Sequence, residues 1–254
     1  MSGKQRRKSV EETAPQLGVG TSGWDYDAWR GAFYPSDMNS DELLAFYAQT
    51  FSTVEVNYSF YHLPERDIFV RWRERTPSDF LFTVKANRYL THMKKLHDAA
   101  EPLGRFLDAA EGLEEKLDVV LFQLPPFWHA DEGRLRGFLE LLPERRTRYT
   151  FEFRHESWYT EGILNALCEK GVALCLHDHA DGPSPQEVTA DFVYLRFHGP
   201  QGEYRQGYGE EALVEWVERI RDWRERSLDV YAYFNNTARG HAIEDARQLK
   251  ARLE

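Results

Sequence analysis

The feature that most constrains the fold is an alternation of strand-like and helix-like segments, which starts at Leu17 and continues to the carboxyl end of the chain. The strand-like segments are short and rich in β-branched and aromatic residues, a composition typical of buried strands. There are eight: 17–24, 53–61, 80–87, 119–125, 149–158, 172–179, 192–199 and 230–237. Strand–helix alternation predicts a parallel sheet with helices outside it. Eight strands in 254 residues fit an α/β fold of the closed (β/α)8 TIM type better than an open doubly wound sheet.

Helical patterns lie between most of these segments. Apolar residues recur at helical spacing within 40–51, 66–75, 134–142, 161–170, 210–225 and 239–253, and 91–117 has room for a loop and one or two helices. Ser40 is a predicted N-cap, and Asn236 or Thr237 is a predicted cap of the last helix. Two prolines and a glycine in 180–190 predict that the helix between strands six and seven is short or missing.

Residues 1–16 form a polar lead with the basic run KQRRK at 4–8, which predicts a disordered N-terminal tail. Residues 17–254 show no linker and no internal repeat, so a single barrel domain is expected. No GxGxxG turn lies between the first predicted strand and the first helix, because TSGWDYDAWRG lacks that spacing, and GxxxxGK[ST] is absent from the sequence. Hydride transfer with a dinucleotide is therefore disfavoured.

Composition limits the classes of function. The net charge of -10 argues against a general nucleic-acid coat protein and against binding to anionic membranes. No run approaches the roughly 18 apolar residues of a transmembrane helix, and the N-terminus has no apolar signal region. Cys168 and Cys175 lie among apolar neighbours and are expected to be reduced and buried. These features predict a cytoplasmic protein, and no oligomeric state is predicted.

Polar residues concentrate in the last halves of the predicted strands, whereas the first halves are apolar. In a TIM barrel alternate strand residues point inward, and the carboxyl ends of the strands form the active face. The residues expected at this face are Glu55, Asn57, Lys85, Gln123, Glu152, Arg154, His177, Asp178, Arg196, His198 and Asn235. Because charges gathered in one pit must pair with each other or bind something charged, a ligand site is expected here.

Two interpretations of this face depend on its charges. In the first, a closed ion-pair network joins Glu152 to Arg196 and Glu55 to Lys85 or Arg154, and does no chemistry. A network that served stability alone would have no reason to lie at one end of the barrel. In the second, Lys85, Arg154 and Arg196 form an anion site together with the glycine-rich loop 199–209, in the region where phosphate sites of such barrels often lie.

Two further interpretations use the acids and imidazoles. A divalent metal site would draw its ligands from Glu55, Glu152, His177, Asp178, His179 and His198. The nearby cations and the lack of HxxEH-type spacing disfavour it, so no metal or other cofactor is assigned. Alternatively, Glu55 and Glu152 form an acid and base pair that acts on a sugar bond.

Aromatic residues and histidines outside the strands have two readings. Aromatic residues just past the strand ends either cap the barrel or wall the pocket; they are Trp24, Trp29, Phe60, Tyr61, Phe127, Trp128 and Trp158. The histidines of loops and helices are expected to be structural or solvated; they are His62, His92, His97, His129 and His241.

Seven motifs occur in an order that resembles the YecE-like family, known as domain of unknown function seventy-two. They are GTSGWDYDAWRGAFYP, TVEVNYSFYHLP, FTVKANRYLTH, LFQLPPFW, FEFRHESW, YLRFHG and YAYFNN. The resemblance extends from about Leu17 to about Leu253 and implies a TIM-type barrel. It implies no established reaction, cofactor or catalytic set.

The sequence thus predicts an enzyme of hydrolase or isomerase type that acts on a small or oligomeric anionic substrate carrying a group such as phosphate. The predicted catalytic residues are Glu152, which transfers the proton, and its partners His177 and His198. The predicted substrate-binding residues are Glu55, Asn57, Lys85, Gln123, Arg154, Asp178, Arg196 and Asn235. The alternative is a nucleic-acid or nucleotide binding module that uses the cationic, aromatic-rimmed pit.

Overall fold

The computed structural model describes residues 14–180 and 182–254, so most of the predicted tail lies outside the described residues. Eight parallel strands form a barrel in which β2 to β8 follow in chain order and β1 pairs with β8. The strands are β1 (Leu17–Thr21), β2 (Thr53–Val56), β3 (Leu81–Lys85), β4 (Leu117–Gln123), β5 (Arg148–Glu152), β6 (Ala173–His177), β7 (Phe192–Phe197) and β8 (Asp229–Phe234). The predicted TIM-type fold is confirmed.

Helices lie in the connections and pack their apolar faces against the outside of the strands. They are α1 (Leu43–Tyr47), α2 (Tyr58–Tyr61), α3 (Arg66–Glu74), α4 (Ala100–Ala110), α5 (Glu132–Leu139), α6 (Glu161–Glu169), α7 (Glu210–Glu225) and α8 (His241–Leu253). Within the described part of the connection between β6 and β7, residues 182–190 contain no helix. The loop predicted there is confirmed for those residues.

Four local predictions are wrong. The segment 53–61 is not one strand, because β2 ends at Val56 and the chain turns into α2. Asn39, and not Ser40, occupies the cap position before the first helical turn, where its amide donates to Glu42 Oε2 at 3.3 Å. The last helix begins at His241, directly after Gly240, so neither Asn236 nor Thr237 caps it. Cys168 is exposed, whereas Cys175 is buried, and both are free thiols.

The barrel closes between β1 and β2, where the strands approach without a continuous ladder. A single bridge joins Ser22 to Glu55, and the amide of Gly23 donates to the carbonyl of Glu55 at 2.7 Å. Gly20 makes the close approach possible, because a Cβ atom at this position would lie 2.4 Å from the carbonyl oxygen of Thr53. No side chain fits at this point of the seam.

We therefore expect Gly20→Ala to lower the free energy of unfolding by roughly 2–4 kcal/mol, since backbone atoms must move to relieve the clash. Gly104→Ala is the matched control, because Gly104 lies inside α4 and a Cβ there meets no atom within 4 Å. It should raise the free energy of unfolding by about 0.5–1 kcal/mol through helix propensity and reduced freedom of the unfolded chain. Equilibrium denaturation with urea measures both changes, and a neutral Gly20→Ala would contradict tight packing at the seam.

The barrel interior is filled by side chains from β4, β6, β7 and β8. They are Val119, Leu121, Ala173, Cys175, Phe192, Tyr194, Tyr231 and Tyr233. At the amino ends of the strands Arg148 binds Asp229 at 2.8 Å and Asp118 at 3.0 Å. The sequence prediction did not include this ion-pair cluster, because Asp118, Arg148 and Asp229 each lie one residue before a predicted strand.

Candidate functional site

A cavity of about 620 Å³ opens at the carboxyl ends of the strands; we call it the pit. Its lining residues are Tyr26, Asn57, Phe60, Tyr61, Lys85, Arg88, His92, Gln123, Arg196, Tyr204 and Asn235. The lining includes two arginines and a lysine but no aspartate or glutamate. The pit is therefore locally cationic in a chain whose net charge is -10.

Arg196, at the end of β7, holds two carboxylates that approach from opposite sides of the barrel. Its Nε and Nη2 donate to Glu55 at 2.9 Å and 2.8 Å, and its Nη1 donates to Glu152 Oε2 at 2.6 Å. The hydroxyls of Ser22 and Tyr194, each at 2.7 Å, complete the bonds to Glu55. Arg196 is 1% exposed and both carboxylates are fully buried. The predicted pair of Glu152 with Arg196 is present, but Glu55 also binds Arg196 and not Lys85 or Arg154.

Glu152 is held as a carboxylate. Its second oxygen accepts a hydrogen bond from Arg154 Nε, so a guanidinium contacts each oxygen. Burial raises the pKa of Glu152, but the positive charges of Arg154 and Arg196 outweigh burial and keep the pKa well below its usual value. A group fixed in one charge state is poorly suited to exchange protons near neutral pH.

His198 lies between a cation and an acid. Its Nε2 is 3.0 Å from Arg154 Nη2, and its Nδ1 is 3.3 Å from Asp178 Oδ1. Burial, followed by the charges of Arg154 and Arg196, lowers the pKa of His198 well below its usual value. Asp178 is also tied to the backbone amide of His198 at 2.7 Å and to the hydroxyl of Tyr208. His198 therefore acts as a neutral support for Arg154.

His177 is bound mainly to the backbone of the neighbouring strand. Its Nε2 lies 2.8 Å from the carbonyl oxygen of Phe153 and 3.1 Å from the hydroxyl of Tyr159. The carbonyl is an acceptor only, so Nε2 carries the proton. Burial lowers the pKa of His177 to about 4, with Arg154 lowering and Glu152 raising it. The imidazole is neutral at pH 7.

The three predicted catalytic residues, Glu152, His177 and His198, come together in one buried cluster with Arg154 and Arg196. None of the three lines the pit, however, and of the cluster only Arg196 does. The predicted anion-binding residue Arg154 also lies outside the lining. The catalytic role of these residues stays a prediction, and the geometry makes them a layer that supports the pit from below.

Lys85, at the end of β3, brings a charge to the pit without an ion-pair partner among the described residues. It is 8% exposed, and its Nζ lies 4.2 Å from the centroid of the Phe60 ring. Among the described residues, no carboxylate lies within 4.0 Å of Nζ and no hydrogen-bond acceptor contacts it. Burial, reinforced by the charge of Arg196, lowers the pKa of Lys85 to about 7 against the attraction of Glu152 and Glu55.

The predicted substrate-orienting amides all reach the pit. Asn57, Gln123 and Asn235 line it from the ends of β2, β4 and β8. Asn57 Oδ1 is buried without a hydrogen-bond partner, an arrangement that leaves an acceptor ready for a ligand donor. These three residues remain the predicted polar contacts for a substrate.

Six lining residues lie outside the predicted site residues: Tyr26, Phe60, Tyr61, Arg88, His92 and Tyr204. Of these, Phe60 and Tyr61 were predicted either to cap the barrel or to wall the pocket. Arg88 precedes a single π-helical turn, Tyr89–Met93, and His92 lies within it; the turn follows β3 by a few residues. Burial, then the charges of Lys85 and Arg88, lowers the pKa of His92 to about 4. The sequence contained a signal for these two residues, because the segment KANRYLTH (85–92) begins at the end of β3 and places Arg88 and His92 shortly after it, near the active face. His92 therefore lines the pit, in contrast to its predicted role as a solvated or structural residue.

The glycine-rich loop 199–209 contributes to the pit through one side chain, Tyr204. Several of its backbone groups are used internally: the amide of Gly202 donates to Gly199 at 2.7 Å, and that of Tyr204 donates to His198 at 2.6 Å. Among the described residues, no cluster of three or more His, Cys, Asp or Glu side chains is arranged to hold a metal ion. The described part of the chain also contains no helix long and apolar enough to cross a membrane.

Residues 18–254 match the model of a family described as "Protein of unknown function DUF72". The chain belongs to the DUF72 family. A relative from Bacillus subtilis, UPF0759 protein YunF, is 25% identical over 93% of this chain and 94% of its own length. UPF0759 protein YecE from Escherichia coli K12 is also 25% identical, over 70% of this chain and 74% of its own length. The resemblance of the motifs to this family is confirmed.

Solved structures place the same fold in the DUF72 family. A DUF72 protein from Thermotoga maritima has a TM-score of 0.84 and 30% identity, covering 94% of this chain and 99% of its own. D-psicose 3-epimerase superposes with a TM-score of 0.55 at 12% identity, covering 93% of this chain and 97% of its own. That second likeness concerns the barrel fold alone.

Proposed function

We propose that the protein is an enzyme of isomerase or hydrolase type that binds a small anionic substrate in the pit, with Lys85 as the group that exchanges a proton with it. The observation that carries this proposal is the charge of the lining: Lys85, Arg88 and Arg196 reach it, and no acidic residue does. A cavity with one sign of charge and low-dielectric walls attracts ligands of the opposite sign. A phosphate or carboxylate group is the ligand that such a site favours.

The cations of the pit differ in availability. Arg196 uses three of its nitrogens on Glu55 and Glu152, whereas Lys85 and Arg88 form no ion pair among the described residues. The paired carboxylates hold Arg196 in place, so the N–H donors that it does not use on them point in fixed directions. Arg88 at the exposed rim and Lys85 at the floor thus supply the charge that a substrate can neutralise.

Lys85 is also better suited to proton transfer than the predicted group, Glu152. Its pKa of about 7 leaves amine and ammonium forms together at neutral pH, which is the condition under which an acid–base catalyst works best. Glu152 is bound by two guanidiniums and does not line the pit. We therefore assign proton exchange to Lys85, and assign to Glu152, His177 and His198 the positioning of Arg154 and Arg196.

The first test measures how much inorganic phosphate stabilises the wild-type protein against thermal unfolding. Phosphate at a hundredfold excess over its Kd should stabilise the folded state by about 2.7 kcal/mol. Lys85→Met should weaken phosphate binding by at least roughly tenfold, because it removes a desolvated cation. Lys170→Met is the control, since Lys170 is exposed and pairs with Glu140 on the surface. Screening sugar phosphates and phosphoesters with the same proteins then tests for turnover.

A phosphate effect that is absent, or equal in Lys85→Met and wild type, would contradict an anion site in the pit. Turnover that survives Lys85→Met unchanged would remove Lys85 from the chemistry. If turnover also requires ionised Glu152, the variant Glu152→Gln should lose turnover while it keeps its fold. Circular dichroism and the unfolding midpoint check that condition.

A nucleic-acid or nucleotide binding function is the second candidate, and an aromatic cleft favours it. This cleft of about 500 Å³ adjoins the pit, shares Asn57 and Tyr61 with it, and presents Trp24 and Trp72. Bases stack on such side chains. Asp25 and Asp41 line the same cleft, and Arg75, which also lines it, is paired with Asp41 at 3.1 Å. The cleft therefore offers phosphates little free positive charge, so the first candidate is preferred. Single-strand binding that falls steeply with salt would support the second candidate, and no binding at low salt would eliminate it.

A further inference from the structure

Two lysines are buried in the described part of the chain, and their surroundings differ. Lys116 is 4% exposed, and its Nζ donates to the carbonyls of Arg73 and Thr76 at 2.7 Å and 2.8 Å and to the Thr76 hydroxyl at 3.1 Å. These three acceptors match the three donors of an ammonium group, so Lys116 is a satisfied structural residue. Lys85 has the same degree of burial but no acceptor and no carboxylate at its nitrogen. A lysine that only stabilised the barrel would resemble Lys116.

The surroundings of Lys85 favour its uncharged form. The nitrogen lies 4.2 Å from the centroid of the Phe60 ring, a contact that by itself favours the ammonium form, but the group is buried and the cations Arg196 and Arg88 line the same cavity. Desolvation and neighbouring positive charge both disfavour an ammonium group. Together they lower the pKa of Lys85 to about 7. A lysine desolvated beside other cations is a recognised form of activated amine nucleophile.

We infer that Lys85 is a covalent nucleophile, and that it forms an imine with the carbonyl carbon of an aldehyde or ketone that carries a phosphate or carboxylate group. The inference rests on the anion site of the proposed function and gives the Lys85 amine a different role, bond formation with the substrate in place of proton exchange. The cationic lining of the pit would hold the anionic group and leave the carbonyl near Nζ. Arg88 at the rim is the cation placed to bind that group. The substrate class is thereby narrowed from anions in general to anionic carbonyl compounds.

The bonds and protons balance without any oxidant or reductant. The neutral amine of Lys85 attacks the carbonyl carbon, a C–N bond forms, and the amine proton moves to the former carbonyl oxygen to give a carbinolamine. Protonation of that hydroxyl lets it leave as water, and the nitrogen lone pair forms the C=N bond of a protonated imine. Addition of water to the imine reverses the sequence and releases the amine.

Pyridoxal 5′-phosphate and sodium borohydride provide the test, because this aldehyde carries a phosphate and its imine is reduced to a stable secondary amine. The wild-type protein is treated at pH 7, and peptide mass mapping locates the modification among its eight lysines. Modification of Lys85 should be faster than that of exposed Lys95 by on the order of a hundredfold, as expected for a lysine whose pKa lies near 7 in place of about 10.4. Inorganic phosphate should slow it, and pyridoxal, which lacks the phosphate, should react more slowly.

Lys95→Met is the matched control and should retain full modification of Lys85, whereas Lys85→Met should lose the fast phase. If Lys85 reacts no faster than Lys95 while phosphate still stabilises the wild-type protein, the imine is refuted and the anion site stands. If phosphate neither stabilises the protein nor slows the reaction, the proposed function and the inference fail together. Modification of Lys85 that phosphate does not slow would refute the anionic substrate class.

Discussion

Arg196→Met should lower the free energy of unfolding by roughly 3–5 kcal/mol, because breaking a buried ion pair leaves its partner charges without compensation. Arg196 donates three hydrogen bonds to Glu55 and Glu152, and all three side chains are almost fully buried. Glu152 would keep Arg154, but Glu55 would keep only the hydroxyls of Ser22 and Tyr194. Equilibrium unfolding in urea at pH 7 measures the change.

Two further variants show whether charge is the cause. Arg226→Met removes an exposed arginine that lies 3.5 Å from Asp222 one helical turn away, and should change stability by less than about 0.5 kcal/mol. Adding Glu55→Gln to Arg196→Met should restore part of the lost stability, since Glu55 carries the charge left unpaired whereas Glu152 keeps Arg154. If the double variant is less stable than Arg196→Met alone, lost packing and not uncompensated charge accounts for the effect.

The barrel itself was predictable because hydrophobic patterning is local. Each strand carries its own apolar run and each long helix its own stripe, so the order of elements follows from the sequence. The segment NYSFY shows the limit of that approach. Its composition is strand-like, yet the chain turns into α2 after Val56, and Ser59 Oγ donates there to the carbonyl of Lys85 at 2.7 Å. That contact joins α2 to the end of β3 and leaves no trace in the local pattern.

The gathering of polar residues at one end was also predictable, but the pairing among them was not. Glu55 and Glu152 both bind Arg196 because its guanidinium presents donors on several sides. Which acids it can reach depends on where the three side chains lie across the barrel interior. Once Arg196 takes both acids, Lys85 is left without a partner. The sequence alone treats Lys85, Arg154 and Arg196 as equivalent cations, whereas the fold divides them into two structural arginines and one available lysine.

Lys85→Met should raise the free energy of unfolding by roughly 2–4 kcal/mol at pH 6, because replacing a buried unpaired charge by an apolar side chain is stabilising. The same substitution should remove phosphate binding. The effect depends on pH. The unfolded chain keeps the lysine proton up to its ordinary pKa of 10.5, whereas the folded protein keeps it only up to about pH 7. Between these values the unfolded state binds more protons, so wild-type stability rises with pH by at most about 1.4 kcal/mol per unit from this group.

Methionine carries no such proton, so the advantage of Lys85→Met should be constant below pH 7 and should shrink as the pH rises from 7 toward 10. Urea unfolding of both proteins at several pH values measures this difference, with Lys170→Met as the control whose advantage should stay near zero throughout. A pH-independent advantage would mean that the pKa of Lys85 is not lowered in the folded protein, because the lysine would then keep its proton up to the same pH in both states. A loss of stability would mean that Lys85 has acceptors that hold its ammonium form. A gain in stability together with lost binding is the combination expected of a residue that the fold tolerates for function.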